Sequence, residues 1–151
     1  MHGPYDFADF RVLRERVGVS KAWIAKQLDI RERSVNAFEN DYGRTIFPDA
    51  WDLLDLLAEQ QRQTVRNAVD QIEREAGEHG GDPQEVVLTY YRSQDEFNQF
   101  NEVSAPVGMV MANTRLIAIR LEDNLYNVQW VYPDDENSFH ADERHTVNQI
   151  F

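Results

Sequence analysis

The chain has no cysteine, so neither a disulfide framework nor a thiolate metal site is available to it, and a reducing compartment suits it. No stretch approaches the roughly 18 consecutive apolar residues of a membrane span. The opening MHGPYDFADF lacks the basic segment followed by an apolar run that marks a secretory leader, so a cytoplasmic protein with no membrane partner is expected. A Gly-rich phosphate loop, a Gly-x-Ser-x-Gly elbow and carboxylates paired for acid–base work are all missing. No enzymatic activity and no cofactor are therefore expected. Internal repeats and low-complexity tracts are missing as well. What is there is 151 residues with 42% hydrophobic content, enough for one compact domain or two small ones with real cores.

Positive charge is scarce too: 15 Lys and Arg face 27 Asp and Glu, for a net charge of −12. The imbalance is uneven. Residues 1 to 45 carry eight basic and seven acidic side chains, a net +1, whereas the remainder carries seven against twenty, a net −13. An acidic second part weakens loose binding to phosphates, while a local basic face in the first part can still dock. The acidity selects against nonspecific contact and leaves a DNA partner open.

The first part reads as consecutive short helices. Phe10, Leu13, Arg14 and Val17 share one face of a helix over Phe7 to Val17, which Gly18 ends. Ser20 is a good N-cap for a second helix with Ile24, Ala25 and Leu28 at helical spacing, and Val35 and Phe38 repeat the pattern in a third. Between them, Asp29 and Ile30 must reverse the chain. That needs a left-handed residue, which Asp tolerates better than most, while Ile30 plugs the core. Ala25 is small enough for the third helix to come close.

Two short helices about a tight turn are the layout of a DNA-reading helix-turn-helix; plain structural packing is the alternative. The polar residues left outside are Arg31, Glu32, Arg33, Asn36 and Asn40. Arg33 suits the two acceptors of guanine, Asn36 suits adenine, Glu32 the amino group of cytosine and Ala37 the methyl of thymine. Glu32 suits an intrahelical salt bridge equally well.

Read together, Leu13-Arg14, Ser20, Ile24-Ala25, Leu28, Ile30, Val35 and Phe38-Glu39-Asn40 resemble the Cro and lambda-repressor type of helix-turn-helix. The resemblance covers the first third of the chain. More narrowly, Trp23-Ile24-Ala25 with Arg31-Glu32-Arg33-Ser34-Val35 is similar to small regulators of phage and mobile elements, including anti-CRISPR-associated repressors. The resemblance implies that Ser20 and Lys21 form a phosphate-contacting corner, and that Arg14 of the first helix pairs with Glu39 at the end of the third. That pair would orient the reading helix rather than touch bases. Arg44, in the following loop, is placed to reach the DNA backbone. For Ser20, Lys21 and Arg44, solvated surface is the alternative. Two residues depart from the family pattern: Asp29 replaces the usual Gly of the turn, and Arg31 replaces the Ser or Thr that caps the third helix, at a cost of about 1 kcal/mol.

Beyond the turn Asn40-Asp41-Tyr42-Gly43, Pro48 and Asp49 open a long helix. Its stripe runs through Trp51, Leu54, Leu57, Gln61, Val65, Ala68, Val69, Ile72 and Ala76. Such a helix is on the order of 40 Å long. Either it breaks near Glu59 to Gln61, or its far half packs on a second domain or chain. Gly77 to Pro83 reads as a linker. Glu85 to Tyr91 and Asn127 to Tyr132 read as strands, Ser93 with Glu96 as a capping box for a helix to Phe100, and Val107 to Leu121 as an amphipathic helix ending near Asn124. In the tail, HADERH fails the zincin pattern, because Ala141 rather than Glu follows His140, and no metal is expected. Trp23 reads as core.

The expected fold is mainly α: a helix-turn-helix domain of four to five helices over residues 1–76, a linker over 77–83, a small α+β domain for dimerisation or interaction over 84–133, and an acidic tail over 134–151. The expected function is a sequence-specific regulator of double-stranded DNA, a repressor binding an inverted repeat as a homodimer, with a protein partner possible through the second domain. The rival is an antitoxin-like or adaptor protein whose acidic half grips a basic partner.

Overall fold

The computed structural model describes residues 7–40, 45–78, 85–135 and 145–147. In chain order the elements are α1 (Phe7–Val17), α2 (Lys21–Leu28), α3 (Glu32–Asn40), α4 (Pro48–Glu78), β1 (Glu85–Thr89), α5 (Gln94–Phe100), α6 (Val107–Asp123), β2 (Asn127–Val131) and β3 (His145–Val147). The architecture is mainly α with a small α+β part. Contacts divide the chain into two compact units, Met1–Gln61 and Arg62–Phe151. Among the described residues no helix is long and apolar enough to cross a membrane.

The first unit is built on aromatic packing. Phe10 of α1 meets Phe38 of α3 and Trp51 of α4 edge-on, with ring centroids 5.7 and 5.2 Å apart, and Phe38 meets Phe47 in the same way at 5.2 Å. Such pairs add roughly 0.5–1.5 kcal/mol beyond the area they bury. Val17, Ile24, Val35 and Leu54 fill the rest with no exposed surface. Gly18 ends α1 with a φ of 84°, a backbone region that glycine enters at no steric cost. Gln61 interrupts the apolar stripe of α4 for a reason: buried, it donates a 2.8 Å hydrogen bond to the Arg16 carbonyl in the last turn of α1, a group with no partner inside its own helix.

α4 runs unbroken from Pro48 to Glu78. Its far half carries Val65, Val69 and Ile72 into the core of the second unit, with Val86 and Leu88 of β1 and Ile117, Ala118 and Leu121 of α6. The sequence ends the first domain at residue 76; the contacts divide at Gln61 because the apolar stripe beyond it is covered by β1 and α6. The same packing removes one argument for a dimer. The far half of α4, which could have called for a second chain, is covered within this one by β1 and α6.

The sheet of the second unit is parallel, in the order β2-β1-β3, with Val86 opposite both Val128 and His145. β1 is central and buried at Val86, Val87 and Leu88, while β2 on the edge is largely open. This explains why VVL is an unbroken apolar run and NVQWV is not. Parallel pairing of β1 with β2 requires a crossover, which α5 and α6 supply. Ser93 caps α5 by accepting from the Glu96 N–H at 3.1 Å; Glu96 returns to the Arg92 N–H at 2.8 Å instead of to Ser93. The tail departs from expectation: β3, three residues of the segment read as an acidic tail, completes the sheet.

Candidate nucleic-acid interface

Ser20 fixes the start of α2, its hydroxyl oxygen accepting from the Trp23 N–H at 3.0 Å. Ile24 and Ala25 are buried behind it. The turn then reverses through Asp29 at φ 52°, ψ 47°, with the Ile30 N–H donating to the Ala25 carbonyl at 3.0 Å. Asp29 therefore takes the left-handed conformation that the missing glycine would supply. Ile30 and Leu28 are half-buried, so the plug is shallower than the pattern suggests. Trp23, read as core, is also half-buried.

α3 is held by its inner face. Val35 and Phe38 are buried, and so is Glu39, whose side chain has no exposed surface. Arg14 reaches it from α1. Its Nε donates to both Glu39 carboxylate oxygens at 3.1 and 3.2 Å, and its Nη2 donates to Oε1 at 3.0 Å. Arg14 Nη1 also donates to the Val19 carbonyl at 3.1 Å. One guanidinium thus joins α1, the loop before α2 and the end of α3, which fixes the rotation of α3 about its axis.

With that rotation fixed, Arg31, Glu32, Arg33, Asn36 and Asn40 are exposed. Arg31 lies one residue ahead of α3, and its carbonyl accepts from the Ser34 N–H at 2.9 Å. Glu32 sits in the first turn, where a carboxylate complements the helix dipole; that gives it a stabilising role besides any contact with a base. Ala37 is half-buried and is set back from the edge formed by Arg33 and Asn36. Arg44 lies outside the described residues. So do His140, Asp142 and Glu143 of HADERH, while His145 opens β3.

Lys21 reaches across to the exposed face of α3. Its Nζ donates to Asn36 Oδ1 at 2.7 Å, and Asn40 Nδ2 donates to the same oxygen at 3.2 Å and to the Asn36 carbonyl at 3.0 Å. Sequence reasoning made Lys21 a phosphate contact and gave Asn40 no role. The relevant signal was the i, i+4 spacing of Asn36 and Asn40, which places the two amides together on one helix face.

Two cations of α1 are already engaged. Arg11 pairs with Glu15 one turn along α1 at 2.9 Å, and this hydrogen bond holds the Glu15 carboxyl below the usual glutamate range. Arg14 is committed to Glu39. Arg31 and Arg33 are exposed, and Arg33 lies one turn ahead of Asn36 on α3. No protein-family model matches the chain, and no curated protein matches it.

Proposed function

We propose that the chain is a sequence-specific DNA-binding regulator that reads the major groove with α3 and represses transcription in the cytoplasm. The observation that carries this reading is the two-sidedness of α3. Its inner face is clamped through Val35, Phe38 and the Arg14–Glu39 pair, while its outer face offers Arg33, Asn36 and Glu32, the side-chain types that hydrogen-bond base edges. Ser20 and Lys21 at the start of α2 and Arg31 ahead of α3 flank that face where phosphates would lie. A nine-residue helix reads only a few base pairs, so regulatory specificity calls for two copies on an inverted repeat.

In the second unit, an exposed aromatic cluster supports a role in assembly. Tyr90, Trp130 and Tyr132 stand edge to face at the ends of β1 and β2, and with Val131 and Asp135 they line a hollow of about 250 Å³. Exposed apolar surface of this kind marks contact sites.

The direct test is binding of a mixed-sequence duplex pool, followed by anisotropy at increasing salt. Affinity is expected to fall steeply with salt, and to be lost when Arg31 and Arg33 are both replaced by Glu while the melting temperature holds. Equal binding by that variant refutes the assignment of the face.

A further inference from the structure

Resting on the reading of α3 as the DNA-contacting helix, we infer that Asn36 selects guanine, and that Lys21 and Asn40 are the positioning residues that make it do so. An amide oxygen has two lone pairs. On Asn36 both are taken, one by Lys21 Nζ at 2.7 Å and one by Asn40 Nδ2 at 3.2 Å. The orientation of the amide follows from chemistry: an ammonium group has no acceptor, so the atom facing Lys21 is the oxygen. Asn40 is held in turn by its bond to the Asn36 backbone carbonyl at 3.0 Å.

What Asn36 then presents to a base is its NH2 group alone. The pairing of asparagine with adenine needs both halves of the amide, an oxygen to accept from N6 and a nitrogen to donate to N7. Here the oxygen is occupied, and the ammonium of Lys21 adds further donors beside it. A surface made of donors meets N7 and O6 of guanine, both acceptors, and sets donor against donor at the N6 of adenine. Lys21 therefore acts on base identity through Asn36, in addition to any attraction it exerts on phosphate.

The test is selection of bound duplexes from a random pool by the full chain and by three variants, Asn36→Ala, Lys21→Met and Asn40→Ala. The base position governed by Asn36 is the one that changes when Asn36 is removed. In the wild type it is expected to be guanine, with the preference falling about tenfold in Asn36→Ala. Lys21→Met keeps the stem and frees one of the two lone pairs of the oxygen, which is enough to accept from N6, and is expected to move that position towards adenine. In the free protein, the Lys21 ammonium should give a protected nitrogen resonance that disappears in Asn36→Ala.

Adenine at that position in the wild type overturns the inference. So does an unchanged preference in Asn36→Ala, or a Lys21→Met variant that binds every sequence more weakly with no change of base; in each of these cases the DNA-reading proposal survives. No enrichment of any sequence by the wild type removes both.

Discussion

Replacing Arg14 by Ala is expected to be among the most damaging single changes in the first unit. Glu39 has no exposed side-chain surface, and Arg14 is 12% exposed. Without Arg14, the carboxylate loses three N–H contacts of 3.0 to 3.2 Å, and the Val19 carbonyl loses a fourth. Breaking a buried pair by removing one partner costs about 3–5 kcal/mol, most of it from the charge left behind. For a unit of some 60 residues, where 1 kcal/mol moves the midpoint by about 4–8 °C, the drop is about 12 °C or more. Glu39→Ala should fall at the low end of the range, since Arg14 keeps its bond to Val19. The double Ala variant should lose less than the sum by about 2 kcal/mol. An apolar double replacement, Arg14→Met with Glu39→Leu, should recover much of the loss, because it strands no charge. The assay is denaturant unfolding of all variants, followed by circular dichroism. Additivity of the two Ala substitutions within about 0.5 kcal/mol would show that the pair does not couple α1 to α3.

Leu125 follows α6 with a φ of 68° and is 79% exposed, so Leu125→Gly relieves about 1–2 kcal/mol of left-handed strain against roughly 0.4–1 kcal/mol of added chain entropy; a net gain in thermal stability is expected, and a loss contradicts it. Arg33→Ala should cost about 1–3 kcal/mol on the preferred DNA site and relax one base position, as read by competition binding. The Glu96 carboxyl is held below the usual glutamate range, first by the Arg92 side chain and then by the Arg92 backbone N–H. A lowered native value stabilises the fold above the ordinary value of about 4.3 and is lost as pH falls through the lowered one. In a carbon-detected titration, Glu96 should therefore titrate below that value, and Arg92→Gln should bring it back up.

Much of the helical layout is legible in the sequence because each signal is local and redundant. Ser20 caps α2, Gly18 stops α1, Asp29 turns left-handed, and the stripe of α4 is buried at every position it names except Ala68, which is half-buried. β3 was not legible: three residues, His145-Thr146-Val147, carry too little alternation to stand out from charged surroundings, and their pairing depends on β1, more than fifty residues away. The division at Gln61 was legible only in part: the length of the stripe calls for a break near Glu59 to Gln61 or a second partner for its far half, but the stripe does not say that β1 and α6 are that partner. On the outer face of α3, the side-chain types could be read from the sequence, and the bonds among them could not. Asn36 alone suggests adenine; only the placement of Lys21 across the turn, fifteen residues earlier, shows that its oxygen is taken.

Selection of duplexes from a random pool by the full chain, sequenced without assuming any motif, tests the central claim most directly. An inverted repeat with half-sites about one helical turn apart is the predicted result, with each half-site altered by substitutions at Arg33 and Asn36. A pool that stays random, or an enriched site indifferent to every exposed residue of α3, would contradict it.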